Sequence, residues 1–169
     1  MCGNWTARPD LEPDPSPVTR VTKSVAVDAG AVPRTATLLG VAGLTPFCAL
    51  PLAIWLDPHH GRLYAELLAN YALAILCFLV GIWWGLALIR RSASALVASN
   101  AVVIIVFFGR SLLAHTPFFL GCAALFIVTL LFERHHVLFK PQPAYYARLR
   151  VALSGVAAVM LIVAAALAA

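Results

Sequence analysis

Long apolar stretches dominate the chain after about residue 34. Most are about 20 residues long, the length at which an α-helix crosses the roughly 30 Å hydrocarbon core of a bilayer. The stretch from 93 to 132 is too long for one crossing. We divide it at HTPFF, where Thr116 suits a helix cap and Pro117 a first turn. The pattern predicts five membrane-spanning helices, over residues 35–56, 67–89, 93–113, 116–136 and 151–169.

Residues 1–34 differ in kind from the rest of the chain. They mix acidic and basic side chains, show no apolar periodicity and contain Pro9, Pro13, Pro15, Pro17 and Pro33. Such a segment buries too little apolar surface to offset the entropy lost on ordering. We therefore predict a disordered tail over 1–34 and a five-helix transmembrane domain over 35–169. The fold class is an all-α integral membrane protein.

Composition agrees with a membrane protein. Hydrophobic residues make up 62% of the chain and charged residues 11%, whereas soluble domains average about 45–50% and about 25%. The net charge of +5 does not indicate nucleic-acid binding, because membrane topology accounts for the basic residues. The expected partners are the lipid bilayer and either another membrane protein or a second copy of the chain.

The distribution of basic residues predicts the orientation. Five spans place ten basic residues on the N-terminal side, in the tail and in the second and fourth connections: Arg8, Arg20, Lys23, Arg34, Arg90, Arg91, Arg134, Lys140, Arg148 and Arg150. The opposite side has only Arg62 and Arg110. Basic residues accumulate in short cytoplasmic loops. We expect a cytoplasmic N-terminus and a C-terminus on the opposite side, in a bacterial inner membrane, or the mitochondrial inner membrane if the protein is eukaryotic.

The second span combines glycine with tryptophan. Gly81 and Gly85 lie one turn apart and Cys77 extends their small-residue stripe, which predicts close packing against another helix. Trp83 lies 200° around the helix from Gly81. Tryptophan and tyrosine are enriched at the membrane–water interface, so the sequence predicts four interface anchors there: Trp83, Trp84, Tyr145 and Tyr146.

Three sequence blocks resemble a known family. ILCFLVGIWWGLAL (75–88) resembles the second-helix signature of the domain of unknown function 3429 family of transmembrane protein 69-like membrane proteins. GLTPF (43–47) and PAYYARLRVALS (143–154) are similar to its first-helix and last-helix blocks. Trp83 stands where the family pattern usually has histidine. The resemblance implies a multi-spanning membrane protein with no established activity.

Polar side chains inside the spans are few. Glu66, Asn70 and Arg110 lie toward the outer side and Asn100 lies deep in the third span. Unpaired polarity in hydrocarbon is costly, so such residues indicate either interhelical bonds or a functional path. We predict a Glu66 to Arg110 pair that joins the second and third helices, and interhelical hydrogen bonds from the two asparagines.

Histidines are the main candidates for chemistry. His59, His60 and His115 are all expected on the outer side, where neutral imidazoles could bind a metal or haem. They lack the fixed spacing of known zinc or haem motifs, so we expect neither a metal site nor a cofactor.

Three functions from different classes follow. The favoured one is a non-catalytic helix bundle, not an enzyme, that binds or stabilises another membrane protein or complex. The alternatives are a small transporter or channel, for which few polar residues are available, and a haem- or metal-binding protein that uses the outer histidines.

Overall fold

The computed structural model describes residues 31–136 and 144–168. The chain divides into two compact units, residues 1–36 and 37–169, and the side chains that join the helices belong to the second. The described residues form five long helices and no strand, which confirms the all-α fold class. They are α1 (Ala31–Leu56), α2 (Gly61–Arg90), α3 (Ala93–Leu112), α4 (His115–His135) and α5 (Ala144–Leu167), with a 3-10 turn at Pro58–His60 before α2.

All five helices are long and apolar enough to cross a membrane. Four begin earlier than the apolar pattern predicts: α2 at Gly61 rather than 67, α5 at Ala144 rather than 151, α1 at Ala31 rather than 35 and α4 at His115 rather than 116. The residue before α4 is Ala114 rather than the predicted cap Thr116, and no side chain caps that end. Of the predicted disordered tail, residues 1–30 lie outside the described residues, while 31–34 form the first turn of α1.

Consecutive helices from α2 to α5 pack as antiparallel neighbours. Arg91 ends α2 in a left-handed conformation (φ 53°), and Ser92 then begins the turn into α3. The most extensive contacts join α4 to α5 and α2 to α3, and α2 also packs on α4. The bundle thus has two ends. We call them the Arg90 end, where α2 finishes, and the Arg62 end, where α2 begins.

The buried face of α2 is a stripe of mostly small apolar side chains at helical spacing: Ala65, Ala69, Ala72, Leu76, Val80, Trp83 and Ala87. Around it the core contains Phe119 and Phe126 from α4 and Leu161 from α5. Small residues permit the close backbone approach that stabilises helix pairs in lipid. Alanine therefore provides in this bundle the close contact that the sequence assigned to glycine.

Helix α1 joins the core through aromatic contacts. The Phe47 ring meets Tyr71 of α2 and Phe126 of α4 edge-on, with centroids 5.3 Å and 5.7 Å apart. The Tyr71 hydroxyl donates a 2.8 Å hydrogen bond to the Gly43 carbonyl. Pro46, inside α1, has no amide hydrogen, so the Ala42 carbonyl one turn before it lacks its usual helical donor.

Candidate functional site

Three side chains from three helices meet inside the Arg90 end, and we call them the Glu133 cluster: Trp83 of α2, Glu133 of α4 and Arg150 of α5. The indole Nε1 of Trp83 donates a 2.7 Å hydrogen bond to Glu133 Oε1. Arg150 binds the same carboxylate with two nitrogens, Nε to Oε2 at 2.8 Å and Nη2 to Oε1 at 2.5 Å. A planar guanidinium matches a carboxylate in this two-bond geometry.

The Glu133 cluster is withdrawn from solvent. The side chains of Glu133 and Arg150 are 6% and 8% exposed, and Trp83 is 1% exposed. Burying either charge alone would be costly, and the cost is offset only where the charges are paired and hydrogen-bonded. Both carboxylate oxygens have donors here. The cluster therefore acts as a neutral polar link between α2, α4 and α5.

Aromatic rings extend the cluster toward the α2–α3 connection. Phe132 stacks on Trp83, with ring centroids 4.7 Å apart, and His136 stacks on Phe132 at 4.8 Å. The His136 Nε2 atom lies 3.1 Å from the Ser94 hydroxyl of α3. All four helices of the inner bundle, α2 to α5, thus contribute to one connected group of side chains at this end.

A second group, the Glu66 cluster, lies at the Arg62 end. Arg110 of α3 pairs with Glu66 of α2 through Nη2 and donates from Nε to Asn70 Oδ1 at 3.0 Å. The Phe118 ring lies 6.0 Å from the Arg110 guanidinium carbon. The predicted Glu66 to Arg110 pair is present and joins the helices that the sequence assigned to it. The side chains of Arg110 and Glu66 are 25% and 38% exposed, so solvent reaches this pair much more than it reaches the Glu133 cluster.

His115 stands beside the Glu66 cluster without completing a metal site. Its Nε2 lies 3.3 Å from Glu66 Oε1, yet it has no hydrogen bond of good geometry among the described residues. His60 instead bonds Asp57 through Nδ1, at 2.8 Å. Within residues 31–136 and 144–168, no three His, Cys, Asp or Glu side chains come together to hold a metal. The suggested meeting of His59, His60 and His115 does not occur.

The structure contradicts two sequence assignments, Trp83 as an interface anchor and Asn100 as a link between helices. Trp83 is not an interface anchor, because it lies inside the bundle with its polar nitrogen bonded to Glu133. Asn100 does not join helices, since it is exposed and donates to the Leu96 carbonyl of its own helix at 2.8 Å. Gly81 and Gly85 lie on the outside of α2, whereas Cys77 is partly buried against the core. Trp84 and Tyr145 are exposed and Tyr146 is half-buried.

Sequence reasoning missed Glu133 and Arg150 as a pair. It gave Glu133, near the end of the fourth predicted span, no role, and it counted Arg150 among the basic residues of the fourth connection. One signal was available: a carboxylate within a predicted span requires a partner, and Arg150 directly precedes the next predicted span. The early start of α5 turns that arginine from a loop residue into a buried helical one.

The chain is similar to a known protein family over most of its length. The family described as "Protein of unknown function (DUF3429)" matches residues 32–166. The chain belongs to this family. In this DUF3429 protein, Trp83 and Arg150 lie within two of the blocks that carry the resemblance, whereas Glu133 lies outside all three. No curated protein and no solved structure matches the chain.

Proposed function

We propose that the protein is a non-catalytic membrane helix bundle that binds or stabilises another membrane protein or complex. The observation that carries this proposal is the exposed side of α2 with Gly81 and Gly85, which we call the glycine face. Its occupant is a transmembrane helix of the partner protein, because only a closely approaching backbone gains from a surface that lacks side chains.

The glycine face consists of Gly81 and Gly85, flanked by the exposed side chains of Phe78 and Leu88. A Cβ atom added at either glycine would meet nothing within 4 Å. By contrast, a Cβ at Gly40 would come within 2.7 Å of Leu153 of α5, so that glycine serves contact within the chain. The spacing G-x-x-x-G in an apolar helix is typical of helix association in membranes.

The pairing of charges supports a scaffold rather than a conduction path. Glu66 is bonded to Arg110 and Glu133 to Arg150, at opposite ends of the bundle. Between them lies an apolar core that includes Leu76, Phe119 and Phe126. Groups that carry ions or protons across a membrane are polar along the path. Charges that neutralise each other instead hold the helices in register.

The proposed orientation follows from the same ends. Arg90, Arg91, Arg134, Arg148 and Arg150 cluster at the Arg90 end, and Arg62 and Arg110 lie toward the other. The positive-inside rule places the Arg90 end and the N-terminus in the cytoplasm of a bacterium, with the protein in the inner membrane. Reporter fusions at each terminus test this orientation. If a reporter that is active only in the cytoplasm were active when fused to the C-terminus, the assignment would be reversed.

The decisive experiment replaces both face glycines. Gly81→Leu/Gly85→Leu fills the face, and Gly121→Leu is the matched control, because Gly121 is an exposed helical glycine on α4 with the same open space above it. A photo-crosslinker replacing Phe78 should capture one stoichiometric partner in native membranes. The double variant should lose that partner, and the control should retain it.

Three outcomes are informative. Equal recovery of the partner by the double variant and by wild type overturns the glycine face as the docking surface. Glycine-dependent dimers of the purified protein alone would assign the face to a second copy. If a crosslinker placed at the exposed Leu131 of α4 captured the same partner, the partner would be contacting the protein without a defined docking face.

A further inference from the structure

A cleft of about 480 Å³ opens between α4 and α5 at the Arg90 end. Its lining includes Glu133 and Arg150 of the Glu133 cluster, two further arginines, Arg134 and Arg148, and the apolar side chains of Leu130 and Val151. The cleft lies at the polar ends of two helices that are apolar enough to cross a membrane, the level at which lipid headgroups are expected. It is distinct from the glycine face, which belongs to α2.

The charges of the cleft do not cancel. Arg150 is neutralised by Glu133 at 2.5 Å and 2.8 Å. Arg134 and Arg148 are exposed, and neither has a carboxylate partner within the described part of the chain. The lining therefore has two uncompensated positive charges. An arginine fork binds phosphate oxygens in the same two-bond manner as it binds a carboxylate.

The rest of the lining is apolar. Leu130 lies one turn before Arg134 and Val151 about one turn after Arg148, both toward the middle of their helices, and Ala152 lies beside Val151. A ligand that fits this surface has an anionic phosphate head and an apolar tail. Basic pockets between helices at the cytoplasmic surface are typical sites for acidic lipid headgroups.

The geometry points to an anionic phospholipid bound in this cleft, its phosphate held by Arg134 and Arg148 and an acyl chain against Leu130 and Val151. A zwitterionic lipid offers the same phosphate, but its cationic headgroup opposes the two arginines. Free phosphate offers the charge but leaves the apolar lining uncovered. The site is independent of any helix bound at the glycine face.

The test measures lipid binding to the full-length protein in detergent, by native mass spectrometry during titration with phosphatidylglycerol or phosphatidylcholine of identical acyl chains. Phosphatidylglycerol should bind more tightly than phosphatidylcholine.

The variants test the two parts of the lining. Each arginine near an anionic surface contributes about fivefold in affinity, so Arg134→Gln/Arg148→Gln should weaken phosphatidylglycerol binding about 25-fold. Arg134→Lys/Arg148→Lys should retain most of it. Ala152→Trp, which keeps both charges and obstructs the apolar lining, should weaken binding of both lipids.

The matched control is Arg90→Gln/Arg91→Gln, which removes two exposed charges from the same end without altering the cleft. Its phosphatidylglycerol affinity should equal that of wild type. An equal loss in the two Gln double variants would show general surface attraction and overturn the site. Binding without preference between the two lipids, or full displacement by inorganic phosphate, would overturn the anionic lipid as its occupant.

Discussion

Trp83 and Glu133, fifty positions apart in the chain, are joined by a 2.7 Å hydrogen bond from the indole nitrogen to the carboxylate in the interior of the bundle. The bond places Trp83 inside the bundle, while the side of α2 that carries Gly81 and Gly85 lies outside. Trp83 thereby links α2 to the ion pair that already joins α4 and α5.

Trp83→Phe removes this donor while keeping a ring that can stack on Phe132. The free energy of unfolding should fall by about 1.5 kcal/mol, the low end for hydrogen bonds to charged groups, because Arg150 still binds the same oxygen. Chemical unfolding in mixed micelles measures the change. Trp84→Phe is the control, since Trp84 is 46% exposed. Equal effects of the two substitutions would mean that the hydrogen bond contributes nothing.

Glu133 and Arg150 should show strong coupling. Either Glu133→Leu or Arg150→Met leaves one buried charge without its partner and should cost about 3–5 kcal/mol of unfolding free energy. The double variant should cost less than the sum of the single variants, because no lone charge remains. A double-mutant cycle in the same micelles gives the coupling energy. Simple additivity would show that the two charges are solvated independently.

The Glu66 cluster should contribute less to stability. Arg110→Gln should lower the unfolding free energy by about 0.2–1 kcal/mol, because the pair is partly exposed and water screens it. The loss should shrink as salt is added. Arg150→Gln at the opposite end provides the comparison and should cost several times more. A larger effect at Arg110 would reverse the proposed order of the two clusters.

Asp57, in the connection between α1 and α2, should have a carboxyl pKa below its ordinary value. The hydrogen bond from the His60 side chain holds the pKa of its carboxyl below the ordinary value of 3.8. Because the folded pKa is depressed, the stabilising contribution of Asp57 is fully present above pH 3.8 and is lost as pH falls through the folded pKa. NMR titration of carboxyl-labelled aspartate should show this pKa rising in His60→Ala. An unchanged value would remove the histidine as its cause.

Much of the architecture was accessible from the apolar pattern. A chain segment in hydrocarbon must satisfy its backbone hydrogen bonds internally, so each bilayer-length apolar stretch has little choice but to form a helix. The break near HTPFF and the turn after Arg90 were placed within a few residues of their positions in the structure. The Glu66 to Arg110 pair could also be predicted from the sequence, since few charged residues lay near enough to pair with each other.

The orientation of each helix about its own axis could not be predicted from the sequence in the same way. In a soluble helix the polar side reveals the outside, but in α2 the face toward lipid and the face toward the core are both apolar. Glycine and alanine stripes both permit close approach, so small residues alone did not distinguish Gly81 from Ala72. Trp83 was assigned as an interface anchor for a similar reason. The acceptor of its indole N–H is Glu133 on another helix, and the local sequence around Trp83 gives no sign of it.

The sequence by itself determined that this protein is a bundle of five apolar helices of membrane length, because local hydropathy and chain length are enough to set that outcome. Only the tertiary structure decided that Glu133 and Arg150 pair inside it and that the glycine face points outward. A charge near the end of a span looks like a loop residue until a distant helix brings its counter-charge into contact, and that pairing is a property of packing in three dimensions.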